Sequence, residues 1–250
     1  MHWVLSGERR FVPKKEITII LPAYNEASRI QKSIRAVERA VSDFSGSYEI
    51  IVAEDGSTDG TEGIVANLSK SDFHLTLLHS TVRLGKGKAV KSAVRSASGE
   101  VIVFMDVDLA TSLSYLPQIV KVAQANRGLA IGSRHLRTSQ VQRRISRTLF
   151  SLTYNLAVRL LFQDGIHDHQ CGFKAMSREA AEVLLAKTKS NGFFFDTEMI
   201  LWCRKLDLPA TEVGVEWTET RKKGGSTVRL FPDSAKLGWD LLRFRLTSDP

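Results

Sequence analysis

The stretch Glu16-Ile17-Thr18-Ile19-Ile20-Leu21-Pro22-Ala23-Tyr24-Asn25-Glu26 runs from β-branched and apolar residues straight into a polar turn. A short apolar run bounded by turn residues reads as a buried strand. The same order returns at Tyr48 to Ala53, followed by Glu54-Asp55-Gly56-Ser57-Thr58-Asp59-Gly60, and at Val101 to Met105, followed by Asp106-Val107-Asp108. Leu75 to Leu78 adds a further strand, and amphipathic helical stretches fill the intervals. Strand and helix in alternation predict an α/β fold with a mostly parallel sheet and right-handed crossovers. Ligand chemistry in such sheets sits at the carboxyl ends of the strands, where the acidic clusters of this chain then meet.

The second half is less regular. It predicts a basic, apolar helix from Arg143 to Phe162, helices over Ser177 to Ala186 and Asp196 to Lys205, and a final strand from Thr211 to Trp217. The tail from Lys236 to Leu246 is amphipathic, with Leu237, Trp239, Leu241, Leu242 and Phe244 as its apolar members. No repeat, low-complexity block or linker divides the chain, so its 250 residues, 43% of them hydrophobic, read as one domain.

A formal charge of +8 implies an anionic partner: nucleic acid, a phospholipid surface or a phosphorylated substrate. Nucleic acid is not expected, because the chain has no aromatic-basic RNA motif or helix-turn-helix and its acids converge where a phosphate groove should be positive. Cys171 and Cys203 do not make a disulfide framework, which suits a reducing compartment. Residues 1 to 15 lack a secretory core, and Leu149 to Phe162 is interrupted by Asn155 and Arg159 and is shorter than the roughly 20 residues that span a bilayer. The expectation is a cytoplasmic protein with peripheral contact to an anionic membrane.

Asp106 and Asp108 at the end of an apolar strand offer two hard oxygen ligands, which alternation along an extended backbone would point to one side. They suit Mg²⁺ or Mn²⁺ bridging to a diphosphate. Lys86, in Arg83-Leu84-Gly85-Lys86-Gly87-Lys88 at a helix start, would add an ammonium and backbone donors for phosphate oxygens. Two look-alikes fail on spacing. Asp55-x-Ser57-x-Asp59-Gly60 opens like a calcium loop but has Ala66 where a bidentate Glu is required, and Gly85-x-Gly87 has Val90 where a dinucleotide fingerprint needs its third glycine.

Taken together, Leu21 to Glu26, Asp55 to Asp59, Gly85-Lys86-Gly87 and Asp106-Val107-Asp108 resemble the signature of family 2 glycosyltransferases in order and spacing. Gly132-Ser133-Arg134, Gln142-Arg143 with Arg147, Asp168 to Lys174, Phe195 to Glu198 and Trp217-Thr218-Glu219 are similar to the dolichyl-phosphate β-glucosyltransferase group. The resemblance covers about Glu16 to Leu246. It implies a GT-A fold with a nucleotide-sugar half at about 16–130 and an acceptor and membrane-facing half at about 131–246. It places Pro22, Tyr24, Glu26, Asp55, Lys86 and Asp106 around the donor, and Asp106 and Asp108 on the metal. Glu54, where the family usually has Asp, and Arg83, where it often has Asn, depart from the pattern, as does the basic run Arg221-Lys222-Lys223. The membrane anchor of eukaryotic relatives has no counterpart, so lipid contact is expected from the Arg143 to Phe162 helix, with Leu149, Phe150, Leu152, Leu156, Leu160 and Phe162 as its apolar members.

The implied reaction is inverting transfer of a sugar, foremost glucose from UDP-glucose, to dolichyl or polyprenyl phosphate. GDP-mannose and UDP-N-acetylglucosamine are the alternative donors, and a non-catalytic binding module is the alternative class. A phosphate monoester is already deprotonated at neutral pH, so the acceptor side should be cationic. Arg134, Arg143, Arg147, Lys174, Arg221 and Ser226 are the expected acceptor-phosphate contacts, and Asp106, Asp108, Arg134 and Asp196 the expected catalytic set. Asp196 and Glu198 would bind sugar hydroxyls or orient an arginine. His167 and His169 resemble a metal pair only superficially, and Cys171 reads as part of a packed turn.

Overall fold

A computed structural model describes residues 3–5, 15–142, 145–220 and 230–248. In chain order the strands are β1 (Trp3–Leu5), β2 (Lys15–Ala23), β3 (Tyr48–Asp55), β4 (Leu75–Ser80), β5 (Gly99–Met105), β6 (Leu129–Ser133), β7 (Gln140–Gln142), β8 (Phe173–Ser177), β9 (Ala210–Gly214) and β10 (Glu216–Thr218). The helices are α1 (Ile30–Ser42), α2 (Thr61–Ser69), α3 (Lys86–Ser96), α4 (Leu116–Asn126), α5 (Ile145–Phe162), α6 (Arg178–Lys187), α7 (Phe194–Lys205) and α8 (Leu230–Thr247).

The main sheet has eight strands in the order β1-β4-β3-β2-β5-β8-β6-β9. β4, β3, β2 and β5 are mutually parallel, as the alternating pattern predicts. Along β2, Ile17, Ile19 and Leu21 enter one core and Ile20 the other, the two-residue period of a strand buried on both faces. The first core is closed by Ile30, Ile34 and Val37 of α1, Val65 of α2 and Ile119 of α4. Across the sheet, Val90 of α3, Leu184 of α6, Phe195 of α7 and Phe244 of α8 close the second.

Three features differ from the sequence reading. β8 enters antiparallel between β5 and β6, so the two expected halves of the chain share one sheet. The strand expected over Thr211 to Trp217 is two strands. β9 runs parallel to β6, and β10 leaves it to pair with β7 in a separate ribbon. Buried Val215 makes the crossing, donating its amide to Ser133 O at 3.1 Å and accepting from Gln140 N at 3.1 Å. Finally, β5 stops at Met105, and Asp106 to Leu109 form a turn rather than extended chain. Leu109 N donates to Asp106 O at 3.1 Å, with Leu109 itself at φ 47°.

Candidate active site

The first two strand-end motifs are stitched together. Asn25, in a left-handed conformation at φ 55°, donates its amide to Ser57 Oγ and accepts from Thr58 N, both at 2.9 Å. Glu26 N donates to Thr61 Oγ1 at 2.8 Å and Ala27 N to Asp59 Oδ2 at 3.0 Å. The Asn-Glu turn and the Asp-Gly-Ser-Thr-Asp loop thus form one frame beside a cleft of about 400 Å³. Pro22, Tyr24, Glu26, Asp55, Lys86 and Asp106, the expected donor-side set, all line that cleft. The Arg83 guanidinium lies over the Tyr24 ring, 3.9 Å from its centroid.

Asp55 does more than face the cleft. Its two oxygens accept from Leu84 N at 2.7 Å and Gly85 N at 2.8 Å, fastening the glycine loop to the end of β3. Burial pushes the Asp55 carboxyl above its ordinary range, against the pull of these amides and Arg83. The amides of Leu84 and Gly85 are therefore taken, and Lys88 N donates to Asn191 O at 3.2 Å. These three amides of the loop are thus spent within the protein, and the Lys86 side chain lines the cleft. The packing also explains the glycines. A Cβ at Gly85 would strike Asn191 O, and one at Gly87 would lie within 3 Å of Phe195 and Ser190.

Lys86 Nζ stands 2.9 Å from Asp106 Oδ1 and 3.2 Å from Asp196 Oδ2, and Lys174 Nζ takes the other Asp196 oxygen at 2.8 Å. Burial alone would lower the Lys86 pKa, but Asp106 and Asp196 outweigh it and hold the ammonium charged. Burial likewise opposes the Asp196 charge, and the two lysines overcome it. Two expectations are corrected here. Asp196 is buried with both oxygens on lysines, which leaves neither facing a sugar hydroxyl or an arginine. Lys174 is fully buried, with its ammonium also donating to the Cys171 and His169 carbonyls, so it binds no acceptor phosphate. Glu198 accepts from Lys189 N at 2.9 Å and Ser190 N at 2.7 Å, holding the loop that carries Asn191 and Phe193 at the cleft wall.

Asp106 and Asp108 flank buried Val107, whose carbonyl accepts from Ser33 Oγ at 2.6 Å. Both aspartates line a second, smaller cavity of about 60 Å³ with Arg134, Phe173 and Trp217, so Asp106 stands where the two cavities meet. A Cβ on Gly172 would overlap the Asp106 carboxylate, so glycine clears the space this side chain uses. Two hard carboxylate donors on one cavity suit a divalent cation. Among the described residues no cluster of three or more His, Cys, Asp or Glu side chains could hold a metal, so phosphate and water would supply the remaining ligands. His169 is instead bonded to Asn155 and Asp164, and His167 to Glu212.

Arg134 is gripped by Asp168 and reaches the smaller cavity with Trp217, 5.8 Å from its guanidinium carbon. Arg143, Arg221 and Ser226 lie outside the described residues, as does the side chain of Arg147. The described chain on either side of them converges: Glu219 N donates to Gln142 O at 3.0 Å and Thr220 Oγ1 to Asp108 O at 3.2 Å. Sequence reasoning missed Lys236 and Asp240 of α8, which line the large cleft. Their signal was an i, i+4 pair of opposite charges within the amphipathic tail.

Known proteins match this sequence and this fold. The model of the family described as Glycosyl transferase family 2 matches residues 18–185. Glycosyltransferase AglD of Haloferax volcanii is 37% identical over 240 residues, covering 94% of this chain, which spans only 38% of that relative's length. Dolichyl-phosphate beta-glucosyltransferase of Mus musculus is 32% identical over 252 residues, covering 94% of this chain and 76% of the relative. The crystal structure of glucosyl-3-phosphoglycerate synthase from Mycobacterium tuberculosis in complex with Mn²⁺, UDP-glucose and phosphoglyceric acid superposes with a TM-score of 0.69 at 21% identity. The match covers 94% of this chain and 81% of that one, and shows a shared fold.

Proposed function

This chain belongs to glycosyl transferase family 2, and from that premise we propose that it moves a glucosyl group from UDP-glucose to dolichyl or another polyprenyl phosphate, with inversion at the anomeric carbon. The observation that carries the reading is Asp106, which lines a cleft large enough for a nucleotide sugar on one side and a smaller, arginine-bearing cavity on the other. The name of the mouse relative, a dolichyl-phosphate beta-glucosyltransferase, supports the same sugar and acceptor.

A phosphate oxygen of the acceptor attacks the anomeric carbon, and the bond from that carbon to the diphosphate oxygen breaks, releasing the nucleoside diphosphate. The attacking oxygen carries its own negative charge, so no side chain has to remove a proton. Lys86 faces the diphosphate. Arg143, Arg147, Arg221 and Ser226 receive the acceptor phosphate, and arginine suits that task because its planar fork matches phosphate oxygens. Arg134, whose own fork is held by Asp168, adds positive charge at the wall of the smaller cavity. Asp106 and Asp108 would hold Mg²⁺ or Mn²⁺, which when bound supplies Lewis-acid stabilisation of the departing diphosphate.

The acceptor's lipid tail calls for contact with a membrane, here its cytoplasmic face. Among the described residues no helix is long and apolar enough to cross a bilayer. The exposed Leu152, Leu156 and Leu160 of α5 and Trp239, Leu242 and Leu246 of α8 offer apolar stripes instead. The two helices pack through Phe162 and Phe244, and Arg159, Arg243 and Arg245 add charges worth about 1 kcal/mol each near an anionic leaflet.

The test is transfer of radiolabelled sugar to polyprenyl phosphate from UDP-glucose, GDP-mannose and UDP-N-acetylglucosamine, with and without divalent metal. Chelator-sensitive product from UDP-glucose supports the reading. Product from another donor keeps the chemistry and replaces the sugar, and no product from any donor overturns it.

A further inference from the structure

The charges around Asp106 alternate in a line from the cleft inward: Asp106, Lys86, Asp196, Lys174. The two ends differ in what they can give up. Lys174 is fully enclosed, and its ammonium has the Asp196 carboxylate and the His169 and Cys171 carbonyls as acceptors. Asp106 is about half exposed, at 48%, and opens onto both cavities. Asp196 is therefore a fixed anchor, and the Lys86–Asp106 contact is the link that substrate can reach.

Lys86 Nζ sits on Asp106 Oδ1 at 2.9 Å, a full hydrogen-bonded ion pair on one of the carboxylates that a divalent cation would use. A divalent cation on the same carboxylate would stand beside this ammonium, so the two repel each other and compete for its negative charge. Lys86 has the phosphates of a bound diphosphate as an alternative partner, because it lines the same cleft, and Asp196 keeps it there whichever partner it takes. We propose that Lys86 is an internal rival of the metal ion for Asp106, held by the positioning residue Asp196, so that the nucleoside diphosphate and the cation bind this site cooperatively. The diphosphate draws Lys86 off Asp106 and frees the carboxylate for the ion. By linkage, the ion strengthens diphosphate binding by the same factor. The proposal rests on the metal-site reading of Asp106 and Asp108.

The experiment is titration of the purified chain with Mn²⁺, following the free ion by electron paramagnetic resonance, with and without UDP. Lys86→Met should tighten binding of Mn²⁺ alone by about tenfold and reduce the mutual tightening of Mn²⁺ and UDP by a similar factor. Lys86→Arg keeps a cation at Asp106 and should stay within about twofold of the wild type. Arg83→Gln removes a charge from the same cleft without touching Asp106 and should leave binding of Mn²⁺ alone within about twofold, separating rivalry at the carboxylate from the general field. Asp196→Asn should raise the KM for the sugar donor several-fold with a smaller change in kcat. Thermal melting confirms that each variant is folded. Unchanged or weaker Mn²⁺ binding by Lys86→Met, or equal tightening by Arg83→Gln, overturns the proposal alone. Absence of Mn²⁺ binding in every variant, with UDP present, overturns the metal site as well.

Discussion

Asp168 holds Arg134 through both carboxylate oxygens, Nε to Oδ2 at 2.7 Å and Nη2 to Oδ1 at 2.8 Å, and takes the Arg134 amide at 3.0 Å besides. Asp168 is fully buried, and Glu212 fixes it in turn by accepting its backbone amide at 3.0 Å. Burial opposes both charges, yet the pairing wins: the Asp168 carboxyl is held well below the usual carboxylate range and the Arg134 guanidinium above its own. A depressed carboxylate contributes stability that is present above its unfolded pKa, about 3.9, and is lost as pH falls through the folded value. Asp168→Asn should therefore cost about 3–5 kcal/mol at neutral pH by stranding the buried guanidinium. It should also flatten the loss of stability below about pH 4. Urea unfolding across pH measures both.

Asp108→Asn preserves an Oδ1 acceptor for Ala110 N, which lies 3.2 Å away, and removes one charge from the proposed metal site. Transfer should fall by about 100-fold or more with the melting temperature nearly unchanged. Undiminished transfer by this variant in metal-depleted buffer would sink the metal-dependent mechanism.

Gly172→Ala places a methyl on the Asp106 carboxylate, while Asp106 N is tied to Gly172 O at 3.0 Å. The side chain must turn away, at a cost of about 1–3 kcal/mol. Mn²⁺ affinity and transfer should fall together, and a variant with normal activity would mean that Asp106 works from another position.

Leu156→Asp and Leu160→Asp change side chains that are 54% and 71% exposed, so folding should shift by only about 0.5 kcal/mol. Co-sedimentation with anionic vesicles should drop several-fold, while transfer to a short, water-soluble polyprenyl phosphate stays at the wild-type rate. Equal vesicle binding by wild type and variants would remove α5 from the membrane contact.

The strand-then-acid pattern was legible because it is local. Ile19, Val52 and Val103 carry the burial of their strands in their own neighbourhoods, and each acidic motif follows by covalent adjacency. β8 was hidden for the opposite reason: Lys174 near its start reads as a break in an apolar run, and Asp196 from α7, with the His169 and Cys171 carbonyls, makes its burial tolerable. The strand expected through Trp217 failed at Val215, where the switch between sheets depends on Ser133 and Gln140, far away in the chain.

The sequence by itself determined the α/β class, the parallel arrangement of its first strands and the gathering of Asp55, Asp106 and Asp108 at one sheet edge, since periodicity and turn chemistry act within a few residues. Only the tertiary structure decided what the charges do there. Arg134, Lys86 and Lys174 look alike as basic letters, but which one is spent on a buried partner and which faces the cleft is set by Coulomb pairing and desolvation among side chains brought together from distant segments.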